Sequence, residues 1–181
     1  MATRFHFSAT TAADVSPAIQ SYTHTQTRRR ELAVTDATAL STDAYTPDAA
    51  DHLVAGDAHH TQFVGNPMAS GNVFTSGDTL KFAVQCLEAN AGNNQRLQIW
   101  VGVYDEAGTT LQATLRSKVN HATENATSLT SRFLSTTLSA SYTTVANDRL
   151  VVELSTTGTP TGAGGTQGHN GSIRTGGNGA A

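Results

Sequence analysis

Two stretches carry side chains whose types could do chemistry. "QIWVGVYDEAGTTL", residues 98–111, places Asp105 beside Glu106 after an apolar run, and "DHLVAGDAHH", residues 51–60, gathers Asp51, His52, Asp57, His59 and His60. Two carboxylates converging across a sugar, about 5–9 Å apart, are the machinery of glycoside hydrolysis. Neighbours in an extended chain point apart, however, and Gly108 follows two residues later with the permissive backbone of a hairpin. Asp105 and Glu106 are therefore expected at a corner, not in a catalytic pair. Histidine with carboxylate can hold zinc or another divalent ion. The spacing of His52, Asp57, His59 and His60 fits no recognised ligand motif, and His59 and His60 would face opposite sides of an extended chain. A polar, histidine-bearing loop is expected, with no metal assigned and ion binding by these four residues left open.

Other routes to chemistry are closed by the motifs. There is no G-x-S-x-G elbow, no H-E-x-x-H and no phosphate loop of the G-x-x-x-x-G-K-[ST] type. The glycines of 162–177 neither follow a buried parallel strand nor precede a helix, and His169 among them is solitary. Cys86 is the single cysteine, so neither a disulfide framework nor a cysteine zinc site is available, and its place in an alternating run makes it a core thiol. No catalytic residue and no cofactor is expected; the chain reads as a non-enzyme. The net charge of −3 provides no footprint for nucleic acid, and Arg28-Arg29-Arg30, followed by Glu31, reads as a solvated stretch. No apolar run approaches the ~20 residues needed to span a bilayer, and the N-terminus lacks the apolar region of a signal peptide. Charged residues make up 14% of the chain, against about 25% in typical soluble domains, which suits a surface covered by other subunits.

The elements that must position these groups follow a period of two. Leu80, Phe82, Val84 and Cys86 share one face, with Lys81 and Gln85 opposite. Leu97, Ile99, Val101 and Val103 alternate with Gln98, Trp100, Gly102 and Tyr104. Leu111, Ala113 and Leu115 form a third inward set, and Leu150, Val152 and Leu154 a fourth. Shorter strands are expected at 4–7, 62–64, 132–137 and 171–175. Turn residues punctuate them: Ser76-Gly77-Asp78, Asn147-Asp148, and the loop "EANAGNNQ" with Gly92, Asn93 and Asn94 able to take positive φ. One short helix is expected in 46–56, with Thr46 as cap, Pro47 in the first turn and Gly56 at its end.

This pattern predicts an all-β protein: a single antiparallel β-sandwich, jelly-roll-like, with at most one short helix. The expected organisation is an N-terminal segment over 1–25, a sandwich core over 26–157, and a Gly-rich C-terminal segment over 158–181 with a last strand at 171–175. Trp100 and Tyr104 project opposite Ile99 and Val101, so that strand is apolar on both faces and must be covered on both. Own chain, a neighbouring subunit or a sugar stacked on the two rings could supply the cover.

Several separated stretches together resemble a family of small structural proteins of tailed bacteriophages. They are "MATRFHF" at the start, "VSPAI" at 15–19, "QFVGNPM" at 62–68, "LEANAGNN" at 87–94, "GTTLQATL" at 108–115 and "NDRLVVEL" at 147–154. Ile19 stands where an aromatic is usual and Tyr22 where Trp is common. The resemblance implies a β-sandwich virion component assembled in the host cytoplasm, without enzymatic activity. It implies a capsid decoration or cement protein, with a tail-associated or carbohydrate-binding module as the alternative. Partners would be further copies of the chain, as a trimer, and the major capsid protein or tail proteins. Arg4, Phe5, Phe7, Pro17, Ile19 and Tyr22 are the expected contact residues, because aromatic and Arg anchors usually carry interface energy. The N-terminal segment could also add a strand to a neighbour.

Overall fold

The alternating run around Ile99 becomes the strand from which the molecule is built. In the computed structural model, residues 4–34, 37–45, 55–158 and 171–177 are described, by backbone alone at 9, 37–45 and 176–177. β8 (Arg96–Tyr104) lies between β12 (Arg149–Gly158) and β9 (Leu111–Asn120), antiparallel to both, with Ile99 opposite Leu154 and Val101 opposite Val152. β5 (Gly56–Gly65) continues the sheet antiparallel to β12. β3 (Arg29–Ala33) and the short β2 (His24–Thr25) run parallel to β5, and β1 (His6–Ala12) closes that edge antiparallel to β3. A second sheet has the order β10 (Thr130–Thr137), β7 (Thr79–Glu88), β13 (Gly171–Gly177), β4 (Ala37–Tyr45), all antiparallel. A two-residue ribbon pairs β6 (Val73–Phe74) with β11 (Tyr142–Thr143).

The core lies between the two large sheets. β8 and β12 contribute Leu97, Ile99, Val101, Val103, Leu150, Val152 and Leu154, and β5 contributes Phe63. They meet Val84 and Cys86 of β7, Leu134 of β10 and Ile173 of β13. Each such side chain taken fully out of water contributes about 1.5–3 kcal/mol, which gives this layer most of the favourable folding energy. Cys86 sits inside it, and burial pushes its thiol up to about 12. The inward alternation read from the sequence is what this layer needs.

The fold is all-β and sandwich-like, and several expected details change. The pairing is antiparallel except where β2 and β3 join β5. Arg28-Arg29-Arg30 is not a solvated run, since the last two open β3 and all three are half-buried. Residues 46–54 of the expected helix lie outside the described residues, and Gly56 opens β5 instead of ending a helix. Leu111 is exposed, while Ala113 and Leu115 face the core. The loop at 87–94 holds one 3-10 turn, Ala91–Asn93, closed by Asn94 in the left-handed region at φ 48. β13 is no appendage, because it fills the place between β7 and β4. Nor is the N-terminal segment a free arm: β1 completes the seven-stranded sheet, and residues 13–23 cross that sheet's outer face as a strap.

Candidate functional site

The densest group of ionisable side chains lies under the strap. Because side chains alternate, the strands that bury Ile99 and Val152 inward project Gln62, Trp100, Tyr104 and Glu153 outward. Ala13 and Val15 of the strap pack on Val64, Trp100, Tyr104 and Val151. Arg149 grips Asp14 with both terminal nitrogens, at 2.8 and 2.9 Å. Arg29 donates to the Pro17 carbonyl, through Nη2 at 3.0 Å, and to Gln62 Oε1 at 3.1 Å. The strap is thus pinned at both ends and along its middle.

Glu153 is the centre of this group. It is fully buried, yet its two oxygens accept three hydrogen bonds. Oε1 takes the Gln20 main-chain N–H at 3.1 Å and Gln62 Nε2 at 3.0 Å, and Oε2 takes the Tyr22 hydroxyl at 2.8 Å. Burial raises the Glu153 pKa, while the bonds from Gln62 and Tyr22 oppose the rise. Burial and the carboxylate together push the Tyr22 phenol far up. Beside them, Lys118 Nζ lies 3.6 Å from the centre of the Tyr22 ring, bonds the Ser21 carbonyl and pairs with Asp57 at 2.6 Å. The Asp57 carboxyl is lowered: burial works against ionisation, and the bonds from Lys118 and Thr23 outweigh it.

The arrangement fastens, and offers little to a substrate. A general base needs a lone pair aimed at the proton it removes. Those of Glu153 face three donors of its own chain. A shallow, open hollow does occur beside β2, lined by Thr25, Gln26, Thr27 and Arg28, and it contains no nucleophile with an adjacent base.

The described part of the histidine stretch does not form the expected loop. His59 and His60 lie within β5, both fully buried. His59 Nδ1 stands 2.6 Å from the Gln26 carbonyl, which can only accept, so Nδ1 carries the proton. His60 Nε2 instead reaches Thr156 Oγ1 at 3.1 Å. A bulge in the register of β5 against β12 falls at this point. Burial drives His59 down to about 4, against the bond to Gln26. His52 lies outside the described residues, and Asp57 is committed to Lys118 and Thr23. Among the described residues, no group of three histidine, cysteine or acidic side chains is placed to hold a metal.

Trp100 and Tyr104 retain only 3% and 2% of their exposure, so neither ring is open for stacking on a sugar. Their ring centres lie 6.5 Å apart at 62°. The indole lies across Gly102, where a Cβ would sit 2.2 Å from Trp100 Cη2. The Tyr104 hydroxyl donates to the Ala18 carbonyl at 2.7 Å. Asp105 is the corner that the turn residues predict. Its carboxylate collects the N–H groups of Thr109 and Thr110 and the Thr109 hydroxyl, with Thr110 and then Thr109 holding it down to about 2. The Glu106 carbonyl accepts from Arg149 Nε at 2.8 Å.

Three of the six expected contact residues are used inside the chain. Phe7 packs on Phe63, ring centres 4.5 Å apart, Pro17 is buried against Gly108, and Tyr22 serves Glu153. Ile19 is half-buried, which leaves Arg4 and Phe5 exposed ahead of β1. β1 pairs with β3 and stands at the end of the seven-stranded sheet. Gln62, Lys118 and Glu153 were not singled out from the sequence, and Arg29 was read as part of a solvated stretch. The one signal for Glu153 is a carboxylate in the middle of the apolar run "RLVVELS".

No family model matches the chain, and no curated protein does. Among solved structures, it is similar to a CocE/NonD family hydrolase from Staphylococcus aureus, at TM-score 0.48 and 11% identity. The likeness covers 96% of this chain and 34% of that one, so the chain spans about a third of the hydrolase. At that similarity, nothing about activity passes from the hydrolase to this chain.

Proposed function

We propose that this chain is a non-enzymatic structural protein of a tailed-bacteriophage virion. In this reading it is a capsid decoration protein that associates with itself, as a trimer, and cements the shell by contact with the major capsid protein. The sequence resemblance supports this reading. One structural observation carries the adhesive part: β10 is an edge strand, and Phe133 at its middle is 64% exposed. Phe133 stands opposite Ala83, on a face whose other members include Ser131, Ser135, Lys81 and Gln85. An edge strand with a bare aromatic is a hazard for a free monomer and a docking edge within an assembly. Val73 and Val145, both exposed near the β6–β11 ribbon, add apolar surface.

The test is co-sedimentation of the purified protein with phage heads that lack it. Saturable binding is expected, weakened at least tenfold by Phe133→Lys without loss of folding. No sedimentation of the unaltered protein with heads would refute the decoration role. Sedimentation with tails only would move the same edge to a tail contact.

A further inference from the structure

A second polar cluster, built from residues outside the strap, closes one end of the sandwich. Three segments meet there: the end of β7, the turn leading into β8, and residues 121–126. Main-chain bonds lace them together, Glu88 N to the Ala126 carbonyl at 2.9 Å and Asn125 N to the Gln95 carbonyl at 2.6 Å. The Glu88 side chain, 2% exposed, accepts the Gln95 N–H at 2.8 Å. Glu124 stands beside it, close enough to act on it by charge and by hydrogen bonding.

The amides around these carboxylates are what call for a ligand. Gln95 is 0% exposed and Asn125 3%, and neither the oxygen nor the nitrogen of either side-chain amide has a hydrogen-bond partner. Each such buried orphan costs about 1–3 kcal/mol, so native interiors rarely keep one, let alone four together. The Gln95 side chain also lies against Gly171, the residue paired with Glu88. Gly171 pairs with Glu88 across β13 and β7, so a Cβ on residue 171 would stand beside the Glu88 side chain on the same face. Gln95 Oε1 occupies that slot, 2.2 Å from where the Cβ would be. Arg132 gives its Nη2 to the Glu124 main-chain oxygen at 2.6 Å.

We infer that Glu88, Glu124, Gln95 and Asn125 form a binding site for a hard divalent cation of the calcium class. The set is two carboxylates and two amide oxygens, with neither thiol nor imidazole, which disfavours zinc. Calcium accepts six to eight oxygens in loose geometry, including amide and main-chain carbonyls, whereas magnesium demands a near-ideal octahedron and keeps its waters. A cation here would remove the repulsion between the carboxylates and give the buried amide oxygens a partner. It would also join the three segments that close this end of the sandwich.

The experiment is thermal unfolding of the full chain, stripped with EDTA, at pH 7.5, with added calcium chloride, magnesium chloride or neither, alongside calorimetric titration with calcium. Calcium a hundredfold above its dissociation constant is expected to raise Tm by about 5–10 °C, magnesium by much less. Glu124→Gln should weaken calcium binding at least tenfold and shrink the shift, while Asp105→Asn, at the exposed corner, should leave it intact. Glu124 is only half-buried, so this variant remains informative if Glu88→Gln fails to fold. Equal melting with calcium and with EDTA, or a full shift retained by Glu124→Gln, would overturn the inference.

Discussion

Glu153 and Glu88 are both buried carboxylates on sandwich strands, and their surroundings are opposites. Glu153 faces three donors supplied by the strap and by β5, with Lys118 nearby. Glu88 faces one main-chain N–H, a second carboxylate, and amides that bond to nothing. The first site is complete as the chain folds it, and its role is to hold the strap down. The second is incomplete without something added. Burial of an acid is therefore a poor guide to function by itself; the partners decide.

The largest effect expected from breaking this contrast is in Glu153→Ala. Leaving Tyr22, Gln62 and the Gln20 N–H without an acceptor should cost roughly 3–5 kcal/mol in urea unfolding. The strap should then exchange its amide protons faster than the sheet beneath it. His59 comes next. Its folded pKa of about 4 lies below its ordinary 6.5, so between those values the unfolded chain binds more protons. The stability it contributes is fully present above pH 6.5 and is lost as pH falls toward 4, by about 3 kcal/mol in all. Glu88 works in the other direction. Burial first, and then Glu124, raise its pKa, so its contribution is lost as pH rises. Stability measured across pH 4–7 should show a steeper acid-side decline in Glu88→Gln and a flatter one in His59→Gln.

Smaller effects sharpen the comparison. Gly102→Ala pushes against the Trp100 indole and the Ala113 carbonyl, and should destabilise by about 1–3 kcal/mol in denaturant titration. In the absence of calcium, Glu88→Gln should cost far less than Glu153→Gln, because it removes a repulsion where the other removes an acceptor. Phe133→Lys, at an exposed edge, should change monomer stability by no more than about 0.5 kcal/mol while disrupting association.

The strands with a repeating apolar face were legible in the sequence: β7, β8, β12 and much of β9 carry an inward set at every second residue. β3 was hidden because Arg29 spends its charge on the Pro17 carbonyl and Gln62, a use that no periodicity reveals. β5 was hidden in its first half because His59 and His60 look like loop or ligand residues until Gln26 and Thr156 are seen to meet them. "ATALSTDAY", which forms β4, lacks a repeating apolar face. Trp100 and Tyr104 announced that their face was covered, and the cover proved to be Ala13, Val15 and the rest of the strap. Glu88, Gln95 and Asn125 are spread along the chain with no motif spacing. Only the lacing of three separate segments brings them together.

The most direct test of the structural role is the copy number of this protein in purified virions, by quantitative mass spectrometry against the major capsid protein. Hundreds of copies per particle are expected for a shell decoration. Absence from particles would contradict the account.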